Sequence, residues 1–286
     1  MTTKKPISVV VPTYNEEKTI GSLLEALINQ SYPIDEIVIS DFNSKDKTID
    51  IVNKYIDNGN NIILAKRRGK CRGSGRNSGI LSAKNHIIAL IDAGSIPEKN
   101  WIENLISLHK DDDDIIFGSV KPYYENILGY CLGVLIVDKS NKDGVVTSSV
   151  CSMLLSKNIW EEVGGFKESE TGEYIVEDII FINEIKRSKN NIFYSNKAIV
   201  NWKMLNNIKD IFAKFTEYST GAILASFANR LHYGIIKNLL ILIPLLIFSF
   251  FNPIILILPL ILIFFRSISY LKNNMLFIKM NLFKKI

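Results

Sequence analysis

Three short apolar runs, each closed by a polar turn and followed by a helical stripe, occupy the first third of the chain and confine it to an α/β fold. Residues 7–11 are β-branched and apolar and stop at Pro12; behind them Ile20, Leu23, Leu24, Leu27 and Ile28 recur at helical spacing within residues 16–30. Residues 36–40 run into the polar turn 41–45, and Ile51, Val52, Tyr55 and Ile56 form the next stripe. Residues 61–65 make a third strand, followed by a basic, glycine-rich turn over 66–75 and a helix to Lys84. A fourth strand, residues 87–91, runs without alternation into Asp92, where Ala93, Gly94, Ser95 and Pro97 stop it. Strands alternating with helices imply right-handed crossovers and a mostly parallel, Rossmann-like sheet. Ligands of such sheets gather outside the carboxyl ends of the strands, so an acid at the end of a buried strand is well placed to touch one. The alternative for Asp92 is a cap on the helix expected near Glu98.

Beyond Pro97, the pattern predicts a helix carrying Trp101, Ile102, Leu105 and Ile106, an acidic loop over 111–114, and a strand over 115–120. No element is assigned from there to Gly144. A strand over 147–155, a short helix from Lys157, a turn at Gly164 and Gly165, a helix from near Val176 and a terminal hairpin over 192–200 complete the globular part, which ends near residue 206.

The texture changes from Asn207 onward. Ile208, Ile211, Phe212 and Phe215 form an amphipathic stripe opposite Lys209 and Lys214, so residues 207–234 are expected to lie at a membrane interface. Residues 239–265 carry no charge and are interrupted at Asn252 and Pro253. About 20 apolar residues span a bilayer, so residues 235–286 are expected to form a membrane helical hairpin with a basic tail. Arg230 and Lys237 before the stretch and Arg266, Lys272, Lys279, Lys284 and Lys285 after it favour keeping both ends on the cytoplasmic side. The chain carries a formal net charge of +5, but the excess sits after residue 233, where six bases meet no acid. The rest is near neutral, which excludes a general nucleic-acid binder and suits an anionic membrane surface. Residues 1–6 are too short and polar for a secretory leader, and Cys71, Cys131 and Cys151 show no pairing pattern, so a reducing compartment is expected.

Candidate site residues cluster at the strand ends. The turn holding Pro12, Thr13, Tyr14, Asn15 and Glu16 and the turn holding Asp41, Asn43, Ser44 and Asp46 point at one crevice, where short polar side chains can read a base and a ribose. Helix capping is the competing role for Asn15 and Ser44. Lys66, Arg67, Arg68, Lys70, Arg72 and Arg76, interleaved with Gly69, Gly73 and Gly75, suit a diphosphate through charge-assisted bonds and exposed amides. Glu177 and Asp178 open a helix, where acids either complement the helix N-terminus or act in catalysis.

In their order and spacing these residues resemble the family-2 glycosyltransferases of the GT-A fold. The resemblance runs from residue 7 to residue 202: the first strand into PTYNE, the second into Asp-x-x-Ser-x-Asp, then Arg76-Asn77-x-Gly79-Ile80, the strand ending in Asp92, Gly164-Gly165-Phe166 and Glu177-Asp178. It implies an α/β GT-A domain that takes a nucleotide-diphosphate sugar, with UDP or GDP as the nucleotide. By that resemblance Pro12, Thr13, Tyr14 and Glu16 line the nucleoside pocket, Asp41 meets the base, Lys70 and Arg76 lie near the diphosphate, and Asp92 contacts ribose or metal. Asp178, beside Glu177, is the implied catalytic base of an inverting transfer. A divalent cation, Mn²⁺ or Mg²⁺, is implied as cofactor, but Gly94 stands where members commonly have a second Asp. The Gln-x-x-Arg-Trp pattern of processive relatives is missing around Trp202, so single addition is expected, with a lipid-linked or membrane-associated acceptor suggested by the expected hairpin. The competing expectation, drawn from Gly94, is a silent relative that binds nucleotide sugar or a partner transferase.

Overall fold

The computed structural model describes residues 5–65, 71–136, 146, 147, 149–170 and 176–224, with the isolated positions 243, 244, 257 and 261. Its first half follows the strand–helix alternation: β1 (Ile7–Thr13), α1 (Ile20–Ile28), β2 (Glu36–Asp41), α2 (Thr48–Asp57), β3 (Ile62–Leu64), α3 (Arg72–Ser82) and β4 (Ile87–Leu90). β5 (Ser95–Pro97), α4 (Trp101–Ile106), β6 (Asp114–Tyr123), α5 (Ile127–Ile136) and β7 (Val146–Thr147) follow. A 3-10 turn, Val150–Ser152, leads into β8 (Met153–Ser156), α6 (Lys157–Glu162), α7 (Glu177–Arg187), β9 (Asn191–Lys203) and α8 (Ile208–Leu224).

The strands form one sheet in the order β3-β2-β1-β4-β8-β6-β9-β5, with β7 added on β6. β3, β2, β1 and β4 are mutually parallel, in registers such as Val9 with Ile37 and Val9 with Ala89. Beyond β4 the sheet is mixed: β8 runs antiparallel to β4 and β6, β9 parallel to β6, and β5 antiparallel to β9. The mostly parallel sheet expected from the sequence thus holds for β3, β2, β1 and β4, whereas the remainder is mixed.

Continuous apolar runs such as residues 87–91 arise because both faces of the sheet are covered. On β1, Ile7, Val9 and Val11 face one layer and Val10 the other; on β4, Ile87 and Ala89 alternate with Ile88 and Leu90 in the same way. One core lies under α1, α2 and α4, the other under α3, α6 and α7. Ile20, Leu23, Leu24 and Leu27 of α1 are buried, each contributing roughly 1.5–3 kcal/mol of hydrophobic stabilisation. α3 approaches β1 closely at Gly79, where a Cβ would stand 2.4 Å from Val10 Cγ1.

Several elements depart from the sequence pattern for identifiable reasons. α1 begins at Ile20, not near Glu16, because residue 15 takes a left-handed conformation (φ 52°) and the chain turns before the helix starts. α3 begins at Arg72, so the end of the basic turn is already helical; Cys71 caps it, its Sγ accepting from Ser74 N while Ser74 Oγ accepts from Cys71 N. The expected terminal hairpin is a single 13-residue strand, β9, whose residues pair with β6 on one side and β5 on the other. The strand expected over 147–155 is broken by the 3-10 turn, and the unassigned segment contains α5. All three cysteines are free thiols.

Among the described residues no helix is long and apolar enough to cross a membrane. The expected hairpin over 239–265 and its basic tail lie outside the described residues, apart from the isolated positions named above. α8, within the expected interface segment, does leave Ile208, Phe212 and Phe215 exposed.

Candidate active site

A cavity of about 240 Å³ opens at the carboxyl ends of the parallel strands. Pro12 and Thr13 at the end of β1 and Tyr14 and Glu16 in the turn after it line the cavity, with Asp92 and Gly94 from the loop after β4 and Ser95 at the start of β5. α3 contributes Arg72 and Arg76 to the wall. The first two turns are stitched together: Asn15 N donates to Ser44 Oγ (2.8 Å), Lys45 N to Asn15 Oδ1 (2.8 Å), and Ser44 Oγ to Asp41 Oδ1 (2.5 Å). Asn15 and Ser44 therefore brace the crevice and cap neither helix. Asp41 is held in this brace beside the cavity and does not line it. Lys70 lies outside the described residues.

Asp92 caps no helix through its side chain either. Its Oδ1 accepts from Arg76 Nη2 at 2.9 Å, and Arg76 Nη1 donates to Glu177 Oε1 at 2.6 Å. Arg76 is buried, with its guanidinium 5.4 Å from the centroid of Phe166. Burial opposes its charge, but Asp92 and Glu177 outweigh that and hold the guanidinium protonated well above its ordinary range. Arg76 thus ties the end of β4 to the first residue of α7. Its neighbour Asn77 holds the turn before α7: Oδ1 accepts from Phe166 N (2.9 Å) and Trp160 Nε1 (3.1 Å), and Nδ2 donates to Phe166 O (2.8 Å). These bonds fasten the chain at Gly164 and Gly165, both at positive φ, where only glycine sits without strain. Val176, also left-handed at φ 50°, delivers the chain into α7.

Glu177 is buried as the counter-ion of Arg76, whereas Asp178 is half-buried, and its charge bears on both Arg76 and Tyr218. Glu16 projects across the cavity floor, bonded to Thr19 Oγ1; burial raises its pKa and the nearby Asp92 adds to the rise. Phe42, Ala93, Ser95, Trp202, Lys214 and Tyr218 also line the cavity, and the sequence pattern does not mark them as site residues. Lys214 and Tyr218 come from α8, and burial pushes the Tyr218 hydroxyl up to about 12. An amphipathic stripe carries no information about which polar residues will turn inward, so Lys214 is legible in the sequence only as part of the polar face.

Residues 8–147 match the model of glycosyl transferase family 2. The chain carries a family-2 glycosyltransferase domain. An archaeal relative from Methanococcus voltae, a dolichyl N-acetyl-alpha-D-glucosaminyl phosphate 3-beta-D-2,3-diacetamido-2,3-dideoxy-beta-D-glucuronosyltransferase, is 26% identical over 82% of this chain and 74% of its own. Other curated relatives match more locally: the chain spans 25%, 43% and 19% of three that are 30–36% identical. The fold is similar to S. aureus TarS 1-349 in complex with UDP-GlcNAc (TM-score 0.53, 24% identity, 71% of this chain and 59% of that one). It is similar also to glucosyl-3-phosphoglycerate synthase from Mycobacterium tuberculosis in complex with Mn²⁺, UDP and phosphoglyceric acid (TM-score 0.52, 18% identity, 79% of each chain).

The family-2 fold implies a divalent cation, and the donor set fits one only as a shared ligand. Among the described residues no group of three His, Cys, Asp or Glu side chains could hold a metal. A Cβ at Gly94 would find the Glu16 carboxylate at 3.8–3.9 Å, so Glu16 and Asp92 are the two acids that border the position. Hard cations are commonly held by one or two carboxylates together with substrate phosphates and water, and Asp92 meets that pattern.

Proposed function

We propose that this protein transfers a sugar from a nucleoside diphosphate sugar, with UDP or GDP as the nucleotide, to a lipid-linked acceptor at a membrane. Membership of family 2 supports the reaction type, and the M. voltae relative, named for a dolichyl phosphate acceptor, supports the acceptor class. The observation that carries the reading is the Arg76 bridge. One buried guanidinium joins Asp92, at the cavity, to Glu177, next to Asp178, so donor site and candidate base are held as one unit.

In the proposed reaction Pro12, Thr13, Tyr14 and Glu16 hold the nucleoside, with Asp41 supporting the base-side turn. Asp178 takes the proton of the acceptor hydroxyl as that oxygen bonds to the anomeric carbon. The bond from this carbon to the diphosphate oxygen breaks, and its electron pair leaves with the nucleoside diphosphate, giving inversion. A divalent cation held by Asp92 and the diphosphate, Mn²⁺ or Mg²⁺, would neutralise charge on the leaving group. Arg76 and Glu177 position both ends of this line and do no proton transfer. The transfer is non-processive in this reading, since Trp202 lines the cavity without the processive motif.

The exposed stripe of α8 and the uncharged residues 239–265 support attachment to a membrane, with the catalytic domain on its cytoplasmic side. Gly94 favours a second reading, a silent nucleotide-sugar binder. Full-length protein in membranes, supplied with a panel of nucleotide sugars with and without Mn²⁺, separates the two: release of nucleoside diphosphate from one donor is expected, and binding without release would establish the silent protein.

A further inference from the structure

α8 lies beyond residue 147, where the family match ends, yet it brings a cation to the cavity. Lys214 and Arg72 line the cavity together with Asp92 and Gly94. They are joined by a single carboxylate: Glu217 Oε1 accepts from Arg72 Nη2 at 2.9 Å, and Glu217 Oε2 from Lys214 Nζ at 2.8 Å. Lys214 Nζ also sits 5.0 Å from the ring centroid of Tyr218. The third lining cation, Arg76, has both terminal nitrogens committed to Asp92 and Glu177. Arg72 and Lys214 are also the more exposed of the three, with side-chain exposures of 44% and 29% against 6% for Arg76.

We propose that Arg72 and Lys214 form a two-cation clamp for the donor diphosphate, and that Glu217 is an internal counter-ion which the diphosphate displaces. The inference rests on the reading that this cavity takes a nucleoside diphosphate sugar. A carboxylate spanning two cations with one oxygen each occupies them as an anion would, and a diphosphate brings more charge and more acceptor oxygens to the same two groups. The clamp supplies positive charge in the same cavity where Gly94 withholds a metal-binding carboxylate. Because Arg72 belongs to α3 and Glu217 to α8, the exchange breaks an ion pair between the two helices when the nucleotide binds.

Calorimetric titration of the full-length protein with UDP and GDP, and separately with uridine and guanosine, tests the clamp without turnover. Wild type is expected to bind one diphosphate better than its nucleoside. Lys214→Met and Arg72→Met should each weaken diphosphate binding about tenfold, the loss of one charge-assisted contact, with nucleoside affinity unchanged. Glu217→Gln should instead tighten diphosphate binding several-fold, because the competitor is gone. That direction sets the clamp apart from a structural salt bridge, and Glu217→Gln preserves side-chain shape should either cation variant fold poorly. Equal losses for diphosphate and nucleoside, or weaker diphosphate binding in Glu217→Gln, would overturn the clamp alone. Failure of wild type to bind either nucleotide would overturn the donor reading and the clamp with it.

Discussion

At the scale of one residue, Arg76 ties the candidate site together. Its two carboxylate partners come from distant parts of the chain, Asp92 after β4 and Glu177 at the start of α7. Removing the cation leaves Glu177 buried without its partner, which typically costs about 3–5 kcal/mol. Arg76→Met should lower stability by that order in chemical denaturation. The double variant Arg76→Met, Glu177→Gln should recover part of the loss, because the stranded charge goes with its partner. Additive losses would mean that the pair does not act as a unit. Asp178 predicts a different pattern: Asp178→Asn removes a proton acceptor without stranding a charge, so nucleotide affinity should persist while turnover falls by about 10²–10⁴-fold. Equilibrium binding and product release measured on the same preparation check the split.

At the scale of elements, the close approach of α3 to β1 depends on the missing side chain of Gly79. Gly79→Ala should destabilise the domain by about 1–3 kcal/mol through overpacking against Val10, read as a lower denaturation midpoint with the slope unchanged. The sequence makes β1, β2 and β4 legible because uninterrupted apolar runs mark strands covered on two faces, and β3 because a polar turn closes its short apolar run. It makes the site legible where strands end in short polar residues, so Pro12, Thr13, Tyr14, Glu16, Arg76 and Asp92 all meet at one cavity. Its reach ends where long-range pairing decides. β9 reads as a hairpin because its partners, β6 and β5, lie far away in sequence. Asn15 reads as a cap because its bonds to the Ser44 turn are equally non-local. Arg76 reads as a diphosphate-binding cation, although its side chain is committed to Glu177 and Asp92, and its neighbour Asn77 holds the turn before α7.

For the whole molecule, one buried group links stability to pH away from the site. His109 is buried between its own helix end and the acid-rich loop, and Lys5 Nζ lies 3.2 Å from its Nδ1 while donating to His109 O at 2.8 Å. Burial and the Lys5 ammonium depress its pKa below the ordinary histidine value, outweighing Asp114 and Asp112. The unfolded chain therefore binds a proton near pH 6.5 that the folded chain refuses, so stability is full above that pH and declines as pH falls through it. His109→Gln should flatten the decline between about pH 7 and 5 in denaturant titrations; an unchanged slope would remove His109 as its source.

At the same scale, the crevice of the parallel strands and α7 together make the proposed sugar-transferring site. Its most direct measurement is nucleoside diphosphate release by the full-length protein in membranes, wild type against Asp178→Asn, across a panel of UDP- and GDP-sugars. Release from one donor by wild type, slowed about 10²-fold or more in the variant, which still binds that nucleotide, is the expected result. Release by Asp178→Asn at the wild-type rate, or none by wild type from any donor, would contradict it.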